Sequence, residues 1–511
     1  MFRAPKVSTF LRDRWLLIAL AAFALAWIVL RAINQSVVID EADSYMMFVA
    51  SSWPHALFWP SSANHVLHTL LVRFITDIFG LSELTLRTPA LIGGLIYINA
   101  SLWLCWLLTK RVFLQALLFT CLVFNPLVLD LLVAARGYSL AVGFLMAAFC
   151  MIAQAMLGNE EPTARSIRVK GILVPGILSS ALVGLSFCAN FSFAFVDAIT
   201  IGVFFVWAAR RLRESRLMLA CACFLPGLLV GSTICGWTVA HWGKGEIGYG
   251  ARSLAETWTS LVWASFYGLD VRAVRMFPIL ASITTKHVLA VLPLVVTALL
   301  LADTLLKKFL NCLGGSEKRR IAFAGVLLAI ALLTLAAHLA AFLMIGLPLP
   351  RARTALYFVP LAMLILGTLI AVRRSLLAWM GVAVLIVHAA YFAGCLRLGY
   401  FQEWQWDADT KQIYAELIGL AQRCGPSHYV TEWRYVGALN FYRHRYHSEV
   451  LPEFTQAPFN VSAYPTNKDV YVVYEPDARE FIPRHGLKRV YFNSLTDAAI
   501  AVRTCDSKVS E

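Results

Sequence analysis

The feature that most limits what this chain can become is a series of apolar runs, each about the length of a membrane-crossing helix and each ended by charge or by Pro and Gly. A hydrocarbon core about 30 Å thick is spanned by about 20 apolar residues in a helix. Eleven runs meet that size, near 15–33, 86–109, 112–128, 131–157, 171–188, 191–209, 217–239, 287–306, 321–345, 354–372 and 375–396. Composition agrees: 14% of the residues are charged and 59% hydrophobic, where a soluble domain carries about 25% charged residues. A disordered chain, a disulfide-knot scaffold and a cytosolic enzyme are excluded. The expected fold is an α-helical polytopic membrane protein of about eleven transmembrane helices. An odd number of spans puts the two ends on opposite sides.

The formal charge of +14 would by itself suggest a phosphate-rich partner such as nucleic acid. Partitioning it removes that reading. The segments on the N-terminal side of the spans, namely 1–14, Lys110 and Arg111, 158–170, 210–216, 307–320, and Arg373 and Arg374, hold 20 basic residues against five acids. The tail after residue 396 holds 13 basic and 14 acidic residues, and the rest is balanced. The positive-inside rule then predicts a cytoplasmic N-terminus in the cell (plasma or inner) membrane and an extracytoplasmic C-terminus. The expected partner is the bilayer, and no nucleic acid.

Three stretches leave the membrane on the predicted outer side: 34–85, 240–286 and the tail from 397. The first opens with Asp40, Glu41 and Asp43 at the mouth of the first span, followed by Tyr45. Its acids suit either a helix N-terminus, where carboxylates favour the dipole, or a catalytic role. His65 and His68 could share a helix face as metal ligands; with no matched acid, a plain surface position suits them better. Apolar spacing over 65–79 predicts an interfacial helix. The aromatic-rich 240–286 stretch fits an interfacial belt or a ring-lined groove equally well.

Arg351 and Arg353 stand just before a span on the side where arginine is scarce, at a helix start that is already positive. A phosphate would resolve both oddities; lipid head groups, or a pairing with the first-loop acids, are the bland alternatives. Asp130, Arg136 and Asp197 are ionisable groups at membrane depth, where partners on other helices are expected. The tail, 397–511, begins with an aromatic segment, Phe401 to Trp406, suited to a membrane interface. Helical spacing at 409–422 and near 433–443, with strand-like stretches at 428–431, 469–474 and 488–493, predicts a small α/β domain. The expected division is therefore 1–396 for the membrane domain and 397–511 for an extracytoplasmic α/β domain. Cys424 and Cys505, both in the tail, are placed where a disulfide is possible.

Several residues together carry a resemblance. Asp40-Glu41 directly after the first span, Asn64-His65 before an amphipathic helix, Phe79-Gly80-Leu81-Ser82-Glu83 with Leu86-Arg87 leading into the second span, and Arg136-Gly137-Tyr138 resemble the polyprenyl-phosphate-dependent GT-C glycosyltransferases. These include the protein O-mannosyltransferases of glycosyltransferase family 39 and the lipid A aminoarabinose transferases. The match covers roughly residues 15–140. It implies transfer of a sugar from a polyprenyl-phosphate-linked donor to an envelope glycan, lipid or protein acceptor on the extracytoplasmic face, with inversion. By position Asp40 matches the catalytic carboxylate. Glu41 would serve beside it, Asp43, Tyr45, His65 and Tyr138 would contact substrate, and Arg136, Arg351 and Arg353 would hold phosphate. Relatives that modify glycans often carry prolines around the element that here reads His65-Val66-Leu67-His68, so acceptor identity does not transfer. Some relatives use a divalent metal; without a ligand cluster in this sequence no cofactor or metal is expected. The rival expectation is a secondary transporter or flippase, against which stand the lack of an internal repeat and the size of the tail.

Overall fold

A computed structural model describes residues 15–158, 165–243, 245–276, 286–309, 314–372, 375–425 and 428–503. Among the described residues ten helices are long and apolar enough to cross a membrane, from Trp15–Asn34 to Leu376–Gly394. They coincide with ten of the eleven apolar runs.

The run at 112–128 is broken. It forms a twelve-residue helix, Val112–Val123, and a separate short one, Pro126–Leu131. Asn125 makes the break: its side-chain oxygen accepts the amides of Leu127 and Val128 at 3.1 and 3.4 Å, and Pro126 occupies the first helical position. The run at 131–157 becomes helical only at Tyr138, because Gly137 adopts φ +74° just before it. The helix expected over 65–79 is present as Val66–Phe79 and exposes Phe74, Ile78 and Phe79.

The chain packs as two compact units. One comprises Met1–Val29, Pro60–His68 and Pro89–Arg397; the other comprises Leu30–Trp59, Thr69–Thr88 and Leu398–Glu511. The second unit thus combines most of the first loop with the tail. Its sheet has four strands, β1 (Tyr429–Thr431), β2 (Val470–Tyr474), β3 (Lys488–Asn493) and β4 (Ala498–Val502), in the order β1-β2-β4-β3. β1 and β2 are parallel and the other pairs antiparallel. Helices Thr410–Cys424 and Trp433–Arg445 flank β1 in sequence. Tyr471, Val473, Phe481, Ala499 and Ala501 fill the core of this sheet.

The aromatic start of the tail does not lie open as an interfacial anchor. Phe401 and Trp404 are buried inside the second unit, and the guanidinium groups of Arg31 and Arg87 lie over the Phe401 ring at 5.2 and 5.3 Å. The buried Phe401 ring thus makes cation–π contacts inside the unit and is not presented to lipid. Cys424 is disulfide-bonded; Cys505 lies outside the described residues.

Candidate functional site

The first-loop acids occupy a six-residue helix, Ile39–Ser44, in the second unit. Glu41 turns inward and is fully buried against Arg87, with Nε–Oε1 at 2.9 Å and Nη2–Oε2 at 2.6 Å. The remaining Arg87 donors reach the carbonyls of Ala32, Gln35 and Ser36 at 3.1, 2.8 and 2.7 Å. Each donor of the fork therefore has an acceptor, the condition under which a buried pair holds its place. Glu41 Oε2 also accepts the Val38 amide at 3.1 Å, so the capping role open to these acids falls to Glu41.

Asp40 and Asp43, three residues apart and hence on one side of the helix, are half-buried. A Cβ at position 437 would collide with Asp43 Oδ1 and lie 3.4 Å from Ile39, so Gly437 is what lets helix Trp433–Arg445 approach this closely. Tyr45 follows in a buried turn, its ring edge-on to Phe441 with centroids 5.5 Å apart. Burial first, and then the charge of Asp77, raise its phenol pKa, with Arg73 opposing.

The cationic candidates lie in the first unit. Gly137 supplies the left-handed turn that carries Arg136, and any side chain there would strike the carbonyl of Ala189. His65 meets Tyr138 edge to face at 6.0 Å. Contrary to the surface position expected of them, His65 and His68 are 7% and 4% exposed. Just upstream, Ser61 and Ser62 are held to Glu246, whose carboxylate accepts Ser61 Oγ at 3.2 Å and the Ser62 amide at 3.0 Å.

Burial, then Arg136, His68 and Arg353, push the His65 pKa well below its usual range, and burial with Arg136 takes His68 down to about 3. Both imidazoles are therefore neutral near pH 7 and offer N–H donors. Neither ring nitrogen of His65 finds a hydrogen-bond partner among the described residues.

Arg351 pairs with Glu256 at 3.5 Å, and Arg353 lies over Tyr249 at 4.6 Å. The two arginines flank Ala352, whose backbone takes φ +43° and whose amide donates to Ser260 Oγ at 3.0 Å. Backbone pairing of Ala251 with Leu349 joins this turn to the 240–286 stretch. Helix Leu254–Ser265, which supplies Glu256 and Ser260, also contributes Trp258 and Leu261 to an apolar cavity of about 460 Å³. Phe358 and Met363 line the same cavity.

No protein-family model matches the chain, and no curated protein matches it in sequence. Among solved structures, the chain is similar to ArnT from Cupriavidus metallidurans bound to undecaprenyl phosphate, at 11% identity over 98% of this chain and 99% of that one, with a TM-score of 0.40. The apo form of the same protein aligns at 12% identity over 96% and 98%, with a TM-score of 0.37. The apo oligosaccharyltransferase of Archaeoglobus fulgidus aligns at 13% identity over 84% of this chain and 64% of that one, with a TM-score of 0.43. Overlaps this loose decide no residue's role.

The sequence-predicted residues thus fall into two sets: Asp40, Glu41, Asp43 and Tyr45 in the second unit, and His65, Arg136, Tyr138, Arg351 and Arg353 in the first. Asp407, Tyr442 and Glu256 are not legible in the sequence because nothing local marks a residue whose partner lies far along the chain: the Ile39 amide for Asp407, the Val37 amide for Tyr442 and Arg351 for Glu256. Arg87 was visible only as part of a motif. Among the described residues no group of three or more His, Cys, Asp or Glu is placed to hold a metal ion.

Proposed function

We propose that this protein is a membrane glycosyltransferase that moves a sugar from a polyprenyl-phosphate-linked donor to a glycan, lipid or protein acceptor on the extracytoplasmic face, with inversion. The observation that carries the reading is in the first unit, where the turn bearing Arg351 and Arg353 packs on helix Leu254–Ser265, which also lines an apolar cavity of about 460 Å³. A long apolar tail ending in phosphate has this pairing of chemistries. Arginine forks suit phosphate oxygens, and neutral His65, with Arg136 near it, adds an N–H donor where the leaving phosphate gains charge.

In the second unit Asp40 is the base. The acceptor oxygen attacks the anomeric carbon on the face opposite the phosphate while Asp40 takes the acceptor proton. The bond from the anomeric carbon to the phosphate oxygen breaks, and its electrons leave with polyprenyl phosphate. Positive charge building on the sugar ring is met by the carboxylate. Glu41, consumed by Arg87, keeps the turn in shape. The domain assignment follows the same reading: 1–396 crosses the membrane and supplies the catalytic loop 34–85, and 397–511 stands outside.

The test uses purified full-length protein in nanodiscs, a panel of tritiated polyprenyl-phosphate hexoses and pentoses, and membrane extract as acceptor. The expected result is label moving from the polyprenyl lipid to a new product. In proteoliposomes without acceptor, label that crosses the bilayer while still attached to its lipid would instead establish the flippase reading.

A further inference from the structure

Helix Ile39–Ser44 has a problem of its own. Six residues are too few to hold a helix in isolation, and the first amides of any helix lack internal acceptors. A capping side chain at the preceding residue normally helps, but that residue is Val38, which has no polar side-chain atom.

Three consecutive amides are nonetheless satisfied by side chains. Val37 N–H donates to Tyr442 Oη at 3.0 Å, Val38 N–H to Glu41 at 3.1 Å, and Ile39 N–H to Asp407 Oδ2 at 2.8 Å. Two of the three acceptors come from the tail, 405 and 368 positions away. Asp407 is fully buried and its other oxygen accepts Thr410 Oγ at 3.3 Å. One residue upstream, Ser36 Oγ donates to the Ala408 carbonyl at 2.9 Å.

We propose that Asp407 and Tyr442 are positioning residues for Asp40, and that the tail serves as the template that fixes the catalytic turn. The inference rests on the reading of Asp40 as the base. Asp40 follows directly on the amide that Asp407 holds, so loss of that acceptor frees the first turn to fray and moves the carboxylate. A displacement of about 1 Å at a reacting group can cost about 100-fold in rate.

The experiment measures kcat and donor KM in the nanodisc assay with tritiated polyprenyl-phosphate sugar, alongside unfolding temperature. Asp407→Ala is expected to lower kcat about 10- to 100-fold with donor KM unchanged. Asp407→Asn, whose amide oxygen still accepts the Ile39 N–H, is expected to recover most of that turnover. Tyr442→Phe lowers kcat by less and again leaves KM alone.

A folded Asp407→Ala protein with wild-type kcat overturns the inference. So does an Asp407→Asn protein as impaired as the alanine variant, since charge and not hydrogen-bond acceptance would then be what matters. Should Asp407→Ala not fold, Asp407→Asn and Tyr442→Phe decide by their kcat: the inference requires Asn near wild type and Phe reduced, and fails on the reverse. If Asp40→Asn itself keeps wild-type turnover, it is the assignment of the base that fails. If Asp40→Asn is inactive while Asp407→Ala is normal, only the template role fails.

Discussion

The acid turn of the second unit and the arginine-bearing turn of the first are built on opposite plans. Around Glu41 each donor of Arg87 has an acceptor, the pair is fully buried, and the flanking amides are taken by Tyr442, Glu41 and Asp407. Around the other turn Arg351 pairs with Glu256, Arg353 lies over Tyr249, the ring nitrogens of His65 have no hydrogen-bond partner among the described residues, and helix Leu254–Ser265 borders an apolar cavity. A closed network of buried charge specifies one shape and resists change. Two arginines on a turn beside an apolar cavity suit an anion that carries an apolar chain. The contrast is what one expects if the first turn must hold a base still and the second must receive and release a charged lipid.

The largest effect should come from breaking the closed network. Arg87→Ala leaves Glu41 buried without its counter-charge, a change that costs about 3–5 kcal/mol, and should show as a large drop in unfolding temperature of the purified protein. A small drop would mean that the acid turn is far less committed than its contacts suggest. Next comes Gly437→Val, which forces a branched side chain against Asp43 and Ile39. Overpacking of this kind costs about 1–3 kcal/mol, and unchanged stability together with unchanged transfer would show that the helix can retreat freely.

In the first unit Arg353→Ala should weaken binding of polyprenyl phosphate about tenfold or more, the loss of one charge-assisted contact, measured by titration in nanodiscs. Arg351→Ala should also weaken it, but by less, because that side chain is more exposed and its pair with Glu256 is screened by solvent. Equal donor affinity in wild type and both variants would return the two arginines to head-group contact.

A further effect is a matter of pH. His68, taken down to about 3 mainly by burial, binds no proton in the folded state while the unfolded chain does so below about pH 6.5. Its contribution is complete above that pH and is lost as pH falls toward about 3. His68→Gln should flatten the fall in unfolding temperature over this window. An identical slope in both proteins would show that His68 does not contribute to it.

Much of the fold was legible because hydropathy is a local signal. Ten runs became helices long and apolar enough to cross a membrane, and the tail's predicted strands and helices are present near their expected places. The run at 112–128 is shared between two helices, Val112–Val123 and Pro126–Leu131, because Asn125 caps the second and Pro126 opens it, which hydropathy does not register. β4 went unread because Ala498-Ala499-Ile500-Ala501-Val502 is rich in a helix-favouring residue, and only its place between β2 and β3, with all five residues buried, makes it a strand.

At the site, Asp40 and Glu41 stood out by position alone, but their different fates did not. What separates them is the partner each finds, Arg87 for Glu41 and, beside Asp40, an amide fixed by Asp407. These partners come from distant parts of the chain, and one sequence does not reveal such pairings. His65 and His68 looked like surface residues because groups near them, Tyr138, Arg136 and Arg353 among them, come from distant parts of the chain.

The most direct test of the account is sugar transfer by Asp40→Asn, measured beside donor binding in the same nanodiscs. The account predicts a folded protein that binds polyprenyl-phosphate sugar as wild type does, yet transfers it at a rate lower by about 100-fold or more, the scale of a lost general base. Wild-type transfer by folded Asp40→Asn would contradict it.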